Sequence, residues 1–307
     1  MKAKDKIRGI IPPMVTPLLG QDTLDAEGTD RLVEHLIEGG VAGIFILGTT
    51  GEAQSLSYRL RREFIARVCA RVAGRVPVLV GVTDTAFAES VSLGDYAADH
   101  GAAGLVAAAP YYASVSQAEL TDYFAALADV LPLPLYLYNM PSCVKVMLEL
   151  PTVLQLAAHP NIAGLKDSSA NMTYFASLLH QLGGREDFAL YVGPEEITGE
   201  AVLMGADGGI NGGANLFPRL YTAMFAAADR SDLAEVRRLQ GLIERVSGAV
   251  YALVPGGSAY LRGLKAAAGL LGLCSPLPAL PWRPLDEAVT QKLAAALETL
   301  DLGSFKE

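Results

Sequence analysis

Lys166 is the residue whose type and position most strongly indicate chemistry. It lies in the segment Ile-Ala-Gly-Leu-Lys-Asp-Ser, residues 162–168, which is typical of a buried β-strand. A lysine in such a strand costs free energy unless it is neutral or paired. Side chains alternate along a strand, so Gly164 and Lys166 share one face, and the glycine is expected to clear space beside the amine. A neutral amine there can attack a ketone, whereas the alternative is an edge lysine that reaches solvent.

Hydroxyl-bearing side chains stand at the ends of three other apolar segments. Thr49 and Thr50 lie between two glycines, which allow a ligand to approach the backbone, so this loop is a candidate carboxylate site. A threonine-rich turn that caps the next helix is the equally weighted alternative. Tyr112 and Tyr138 end two further segments, but tyrosines taken alone are more often packing than catalytic residues.

A glycine-rich stretch and an acidic pair are the remaining candidates. Residues 208–215 read Gly-Gly-Ile-Asn-Gly-Gly-Ala-Asn, which predicts a floor of backbone amides that meets a small anion; a phosphate cradle is the alternative. Glu195 and Glu196 are expected at a helix N-terminus, since no His or Asp stands at ligand spacing. The cysteines and histidines also lack metal-ligand spacing, so no metal site and no cofactor are predicted.

The composition narrows the class of protein. Hydrophobic residues make up 51% of the 307 residues and charged residues 19%, enough to bury a sizeable core. The net charge is −9, which argues against a nucleic-acid partner, and no apolar run reaches the ~18 residues that span a membrane. The three cysteines form no recognisable pairs. We therefore expect a cytoplasmic protein with a small-molecule substrate.

Short apolar segments alternate with amphipathic helical stretches about eight times. The segments are nearly continuous in apolar residues, as parallel strands covered on both faces are. They comprise residues 9–18, 43–50, 77–83, 104–112, 134–141, 162–169, 189–195 and 208–216. This pattern predicts an α/β protein with a (β/α)₈ TIM barrel, in which reactive residues gather at the C-terminal ends of the strands. The alternative is an open doubly wound sheet, but its Gly-x-Gly-x-x-Gly turn is missing.

The pattern also predicts how the chain divides. We expect the barrel to occupy residues 1–222 and a C-terminal helical extension to occupy residues 223–307. Three helices are expected in the extension, over residues 232–247, 257–272 and 285–300. No motif there indicates chemistry, so packing or subunit contact is the predicted role.

Taken in order, the strand-end motifs resemble those of the dihydrodipicolinate synthase and N-acetylneuraminate lyase family. They read GTTGE, PYY, YNMP, GLKDSS, VGPEE and GADGGINGGANL. The resemblance covers essentially the whole chain. It implies a (β/α)₈ barrel with a C-terminal helical extension, and a homotetramer built from tight dimers. It also implies class I aldolase chemistry, in which a lysine forms a Schiff base with pyruvate or a related 2-oxo acid.

The resemblance assigns roles to individual residues. Lys166 matches the Schiff-base lysine, and Tyr138 matches the tyrosine that shuttles protons near the bound ketone. Thr49 and Thr50 match paired hydroxyls that bind the pyruvate carboxylate and link Tyr138 to a second tyrosine. Tyr112 matches that second tyrosine, which in many members reaches across a dimer interface.

Three further positions are expected to contact substrate, and one position departs from the family. Ile210 matches the residue whose backbone carbonyl faces the substrate, and Gly48 and Gly193 are expected to line the same site. Cys143 stands where synthases carry an arginine that holds the carboxylate of aspartate semialdehyde. A cysteine cannot form that bidentate clamp, and Lys145 nearby is no geometric substitute.

The departure favours a lyase that acts on 4-hydroxy-2-oxoglutarate or a 2-keto-3-deoxy sugar acid. Alternatives within the family are 4-hydroxy-tetrahydrodipicolinate synthase and a 2-keto-3-deoxy acid dehydratase. A non-enzymatic 2-oxo-acid binder and a phosphate-handling barrel isomerase are the alternatives outside it.

Overall fold

The computed structural model describes residues 6–306, and its centre is a closed parallel sheet. Strands in this part of the chain are β1 (Gly9–Ile10), β2 (Leu18–Gly20), β3 (Thr23–Leu24), β4 (Ile44–Ile46), β5 (Val78–Gly81), β6 (Gly104–Ala108), β7 (Leu135–Asn139), β8 (Ile162–Asp167), β9 (Ala189–Val192) and β10 (Gly208–Gly209). All but β2 and β3 pair in parallel, in the order β1-β10-β9-β8-β7-β6-β5-β4. A parallel bridge between Pro13 and Phe45 closes the ring. The predicted (β/α)₈ barrel is confirmed, and the open doubly wound sheet is excluded.

Helices surround the barrel. They are α1 (Ala26–Glu38), α2 (Tyr58–Val72), α3 (Phe87–Asp99), α4 (Gln117–Val130), α5 (Pro141–Val144), α6 (Leu150–Leu156), α7 (Met172–Leu182), α8 (Thr198–Leu203) and α9 (Pro218–Asp229). Several of their starts follow side-chain capping rules. Ser116 and Glu119 form a capping box at the start of α4, in which each side chain satisfies the other residue's backbone N–H.

The first and last predicted strands are shorter than expected. Regular pairing in the first segment stops after Ile10, because Pro12 and Pro13 have no N–H to donate. Leu18 belongs instead to β2, which forms an antiparallel hairpin with β3. In the last segment the strand ends at Gly209, and Gly212–Asn215 forms a 3₁₀ helix. Both corrections shorten strands at the end of the barrel where the candidate residues lie.

The C-terminal extension contributes three helices, α10 (Leu233–Val250), α11 (Ala259–Leu270) and α12 (Glu287–Thr299). α10 packs against α9 and α12, and α11 contacts the 3₁₀ helix that follows β10. The extension therefore reaches the C-terminal end of the barrel. The predicted division after residue 222 falls inside α9. Among residues 6–306, no helix is both long enough and apolar enough to cross a membrane.

Candidate active site

Lys166 and Tyr138 lie side by side inside the C-terminal end of the barrel. They are register partners on the neighbouring strands β8 and β7. The Lys166 Nζ lies 4.2 Å from the centroid of the Tyr138 ring and 5.3 Å from that of Phe45. Lys166 is only 4% exposed and forms no ion pair with another residue of the 6–306 range. No carboxylate therefore has to be displaced before this amine can react.

The glycine two residues before Lys166 does not clear space for the amine, contrary to expectation. A Cβ at Gly164 would lie 2.9 Å from the ring of Tyr136 and would overlap the carbonyl oxygen of Ala189. The absence of a side chain at Gly164 makes room for the Tyr136 ring, which lies 6.2 Å from the Tyr191 ring in the barrel interior. These rings fill the barrel beneath the lysine, as side-chain layers do in this fold.

The two residues after Lys166 continue the alternation of side chains along the strand. Ser168 faces the same cavity as Lys166. Asp167 instead accepts a hydrogen bond of 2.7 Å from the side-chain amide of Asn139, whose own side-chain oxygen accepts the N–H of Leu148 at 3.0 Å. Burial raises the pKa of Asp167, although its hydrogen bonds with Asn139 and Ser169 oppose the rise. This network fixes the ends of β7 and β8 relative to each other.

The threonine loop lies across the cavity from these strands. The Thr49 hydroxyl is 3.4 Å from the Tyr138 hydroxyl, and the Thr50 hydroxyl is 3.3 Å from the hydroxyl of Tyr260. Both distances exceed the usual O–H···O range, and such contacts often tighten when substrate binds. The Tyr138–Thr49 contact matches the expected link, but within this chain the tyrosine beside Thr50 is Tyr260 and not Tyr112.

The cavity at the lysine has a volume of about 240 Å³. The predicted residues that line it are Thr49, Thr50, Tyr138, Lys166, Gly193 and Ile210. Gly48 lines an adjoining cavity of about 270 Å³, which is mostly apolar and which Cys143 and Trp282 also line. Tyr112 lines neither cavity, and its side chain is 88% exposed.

The acidic residue after β9 has a different role from the one its sequence indicated. Glu195 does begin a short 3₁₀ helix, but its carboxylate is buried. It accepts the backbone N–H of Gly213 at 2.8 Å and the hydroxyls of Tyr221 and Tyr251 at 2.9 and 3.0 Å. Burial raises the pKa of Glu195 to about 7, opposed by the Gly213 N–H and assisted by Glu196.

The glycine-rich floor therefore meets an anion supplied by the protein itself. The amide of Gly213 binds the Glu195 carboxylate, and a Cβ at that glycine would overlap the hydroxyl of Tyr221. A Cβ at Gly212 would likewise overlap the hydroxyl of Tyr260. The two glycines make room for side chains from the surrounding helices.

The C-terminal extension also contributes to the site, which corrects its predicted role as packing or subunit contact only. Tyr251, at the end of α10, and Tyr260, in α11, line the cavity together with Glu195 and Glu196. Their rings lie 4.8 Å apart. No motif in the sequence points to them, because each is an isolated tyrosine in an amphipathic stretch.

Comparison with known proteins establishes the family. The model of the dihydrodipicolinate synthetase family matches residues 6–300. The chain belongs to this family. Its members are class I lyases that form a lysine Schiff base with pyruvate, and this protein is such an enzyme.

Relatives of the family align along nearly the full chain. A 4-hydroxy-tetrahydrodipicolinate synthase from Pelobacter propionicus is 33% identical over 298 residues, covering 96% of this chain and 99% of the relative. The structure of a dihydrodipicolinate synthase from Bacteroides thetaiotaomicron is 49% identical with a TM-score of 0.94, covering 97% of this chain and all of that one. A prophage protein of the family from Escherichia coli K12, solved with pyruvate, is 32% identical with a TM-score of 0.90 over 96% of this chain and 99% of that one.

Proposed function

We propose that this dihydrodipicolinate synthetase family member cleaves a 2-keto-3-deoxy sugar acid, releasing pyruvate and a hydroxylated aldehyde. The observation that carries the proposal is the chemistry of the cavity wall. Apart from Lys166, no cationic side chain of residues 6–306 lines the wall, whereas two carboxylates do, Glu195 and Glu196. Hydroxyl groups of a sugar chain can donate to the Glu196 carboxylate and to the neighbouring tyrosines. The buried Glu195 carboxylate already accepts hydrogen bonds from Gly213, Tyr221 and Tyr251.

A second carboxylate on the substrate has no cationic partner among the described residues of this site. Aspartate semialdehyde and 4-hydroxy-2-oxoglutarate each bring such a carboxylate to the site, and the Glu196 carboxylate would repel it. Cys143 lies at the position of the family's arginine clamp but lines the apolar cavity and cannot hold a carboxylate in a bidentate pair. These features favour an uncharged, hydroxylated aldehyde half.

The first half of the reaction follows from the positions of Lys166 and Tyr138. The Lys166 Nζ attacks the C2 ketone, and one of its protons passes to the former carbonyl oxygen. The Tyr138 hydroxyl gives that oxygen a second proton, so water leaves and an iminium forms. The iminium withdraws electrons from C3. The C3–C4 bond then breaks as the deprotonated Tyr138 oxygen takes the C4 hydroxyl proton, which gives an aldehyde and an enamine of pyruvate.

The second half returns the enzyme to its starting state. Tyr138 gives its proton to C3 of the enamine, and the iminium reforms. Water then attacks C2 while Tyr138 takes one of its protons. The remaining C2 hydroxyl proton passes to Nζ as the C2–Nζ bond breaks, which releases pyruvate and the free Lys166 amine. Throughout these steps the carboxylate of the substrate is held at the Thr49-Thr50 loop, which fixes C2 near the lysine.

The names of the relatives favour a second candidate, 4-hydroxy-tetrahydrodipicolinate synthase. Its reaction uses the same pyruvate enamine, which attacks aspartate semialdehyde. The missing arginine distinguishes the two candidates. Losing one bidentate charge-assisted contact corresponds to ~2–4 kcal/mol, or about 30- to 1000-fold in kcat/KM.

A substrate panel tests the proposal. Purified enzyme is offered 2-keto-3-deoxy sugar acids of several stereochemistries and 4-hydroxy-2-oxoglutarate, and pyruvate release is measured for each. Condensation of pyruvate with aspartate semialdehyde is measured in parallel. We expect the highest kcat/KM with a sugar acid. Efficient condensation at micromolar semialdehyde, with no cleavage of any sugar acid, would instead establish the synthase.

The assembly is proposed on separate grounds. The exposed Tyr112 side chain, and the apolar cavity that opens beside Thr49 and Tyr138, support a tight dimer in which Tyr112 enters the partner's site. We propose the homotetramer that the family resemblance implies, built from two such dimers. The cysteines Cys69, Cys143 and Cys274 are unpaired, which supports a reducing cytoplasmic location.

A further inference from the structure

The hydroxyl of Tyr260 points into the site from a helix outside the barrel. Tyr260 as a whole residue is 38% exposed, but its hydroxyl faces inward and lies 3.3 Å from the hydroxyl of Thr50. Gly212 leaves the space that the hydroxyl occupies, since a Cβ there would overlap it. Packing therefore fixes the inward position of the Tyr260 hydroxyl in the cavity wall.

A buried ion pair ties the same helix to the same loop. The Lys265 Nζ, further along α11, lies 2.5 Å from the Glu52 carboxylate, and the side chains of both residues are almost wholly buried. Lys265 also donates to the carbonyl of Thr16 at 2.8 Å, and Glu52 accepts the N–H of Ala279 at 2.7 Å. Each member of the pair thus has a second hydrogen-bond partner, as a buried pair requires.

One member of the ion pair, Glu52, belongs to the turn that follows Thr49 and Thr50. Glu52 follows Thr50 by two residues and has a backbone φ of 56°, the left-handed conformation. A non-glycine residue in that conformation is uncommon and is held by its surroundings. The ion pair with Lys265 holds Glu52 in this conformation. Because Lys265 and Tyr260 both belong to α11, this helix fixes the conformation of the loop and also places the Tyr260 hydroxyl beside Thr50.

Tyr260 is placed to donate a hydrogen bond to the Thr50 hydroxyl when Thr50 binds the substrate. The Thr50 hydroxyl has one proton, and if it donates that proton to the substrate carboxylate, its oxygen is left to accept. Tyr260 is the hydroxyl placed to donate to it. Burial of the phenol oxygen, with Glu195 nearby, raises the pKa of Tyr260, so it remains a donor across the working range of pH.

We infer that Tyr260 is a positioning residue for the carboxylate of the 2-oxo acid, acting through Thr50, and that the C-terminal extension thereby completes the substrate site. The inference rests on the proposed function, in which Lys166 forms the imine and the threonine loop holds the carboxylate. The chemistry recognised is the carboxylate attached to a ketone, so a neutral ketone of the same size gains nothing from Tyr260.

Imine trapping tests this directly. The wild-type enzyme and Tyr260→Phe are incubated with pyruvate or with pyruvamide and cyanoborohydride, and the rate of adduct formation at Lys166 is followed by mass spectrometry. We expect Tyr260→Phe to trap pyruvate roughly 3- to 30-fold more slowly at subsaturating concentration, with pyruvamide unchanged. In turnover, KM should rise by a similar factor while kcat changes little.

Two further variants make the test specific. Tyr174→Phe removes a buried hydroxyl that donates to the Leu148 carbonyl at 2.6 Å, away from the cavity, and should leave both trapping rates unchanged. Adding Tyr260→Phe to Thr50→Val should cause little further loss, since Tyr260 acts through the Thr50 hydroxyl.

Several outcomes would overturn the inference. Equal slowing with pyruvate and pyruvamide would show that Tyr260 only supports the fold, and unchanged trapping of pyruvate would show no role. Losses that multiply in the double variant would show that Tyr260 acts independently of Thr50. If the wild-type enzyme formed no adduct at Lys166, the proposed function would fail first and this inference with it.

Discussion

The carboxylate of Glu195 lies 2.8 Å from the backbone nitrogen of Gly213, although the two residues are held on different segments of the barrel rim. The contact joins the loop after β9 to the 3₁₀ helix after β10. Tyr221 and Tyr251 donate to the same carboxylate, which brings α9 and the end of α10 into the network. One buried acid thus links these four segments at the wall of the site.

The first prediction concerns the pH dependence of stability that Glu195 creates. Its pKa is raised in the folded protein to about 7 from an ordinary 4.5, so the folded state holds the proton more tightly than the unfolded state. The resulting stabilisation is present below about pH 4.5 and is lost as the pH rises through about 7. By linkage the change is on the order of 3 kcal/mol.

Urea unfolding of the wild type and Glu195→Gln at pH 5 and pH 8, at equal protein concentration, measures this. The wild type should lose stability relative to Glu195→Gln on going to pH 8. Glu298→Gln, at an exposed position of α12, serves as the matched control and should track the wild type at both pH values. A constant difference between the wild type and Glu195→Gln at the two pH values would contradict the assignment.

The second prediction concerns the Tyr138 hydroxyl. Tyr138→Phe keeps the ring beside Lys166 and removes the proposed proton carrier. We expect kcat to fall by roughly 10²–10⁴ with a modest change in KM, as measured by steady-state pyruvate release. Imine trapping with pyruvate should survive, at a reduced rate. A variant with near wild-type kcat would reassign Tyr138 to packing.

The third prediction concerns Tyr112 and the assembly. Mixed dimers are prepared from Tyr112→Phe chains and Lys166→Ala chains. If Tyr112 serves the partner's site, one of the two sites in each mixed dimer keeps an intact lysine together with an intact Tyr112. Activity should then recover in proportion to such sites. Correctly assembled mixed dimers with no activity would place Tyr112 in its own chain's site.

The sequence was sufficient where local pattern decides structure. Eight apolar segments bounded by Gly or Pro predicted the barrel, because a strand buried on both faces has to be nearly continuous in apolar residues. Lys166 interrupts such a strand near its C-terminal end, and in a barrel that end carries the site. The strand register in the structure then places Lys166 beside Tyr138.

Local pattern failed where a partner comes from a distant element. Glu195 looked like an ordinary helix-start acid, since its donors Gly213, Tyr221 and Tyr251 are brought to it only by the packed fold. Tyr260 gave no signal, because the placement of α11 against the barrel depends on the buried contact between Lys265 and Glu52. Such tertiary contacts produce no periodic pattern of residues, so the sequence alone does not predict them.

The measurement that tests the central claim most directly is the location of the pyruvate adduct. The enzyme is incubated with pyruvate and borohydride, which reduces an imine to a stable secondary amine, and the digested protein is analysed by mass spectrometry. We expect one adduct per chain, on the peptide that contains Lys166. Lys166→Ala should lose both adduct and turnover, and Lys166→Arg should fail as well, because a guanidinium stays protonated and cannot form the imine. An adduct on a different lysine would contradict the account.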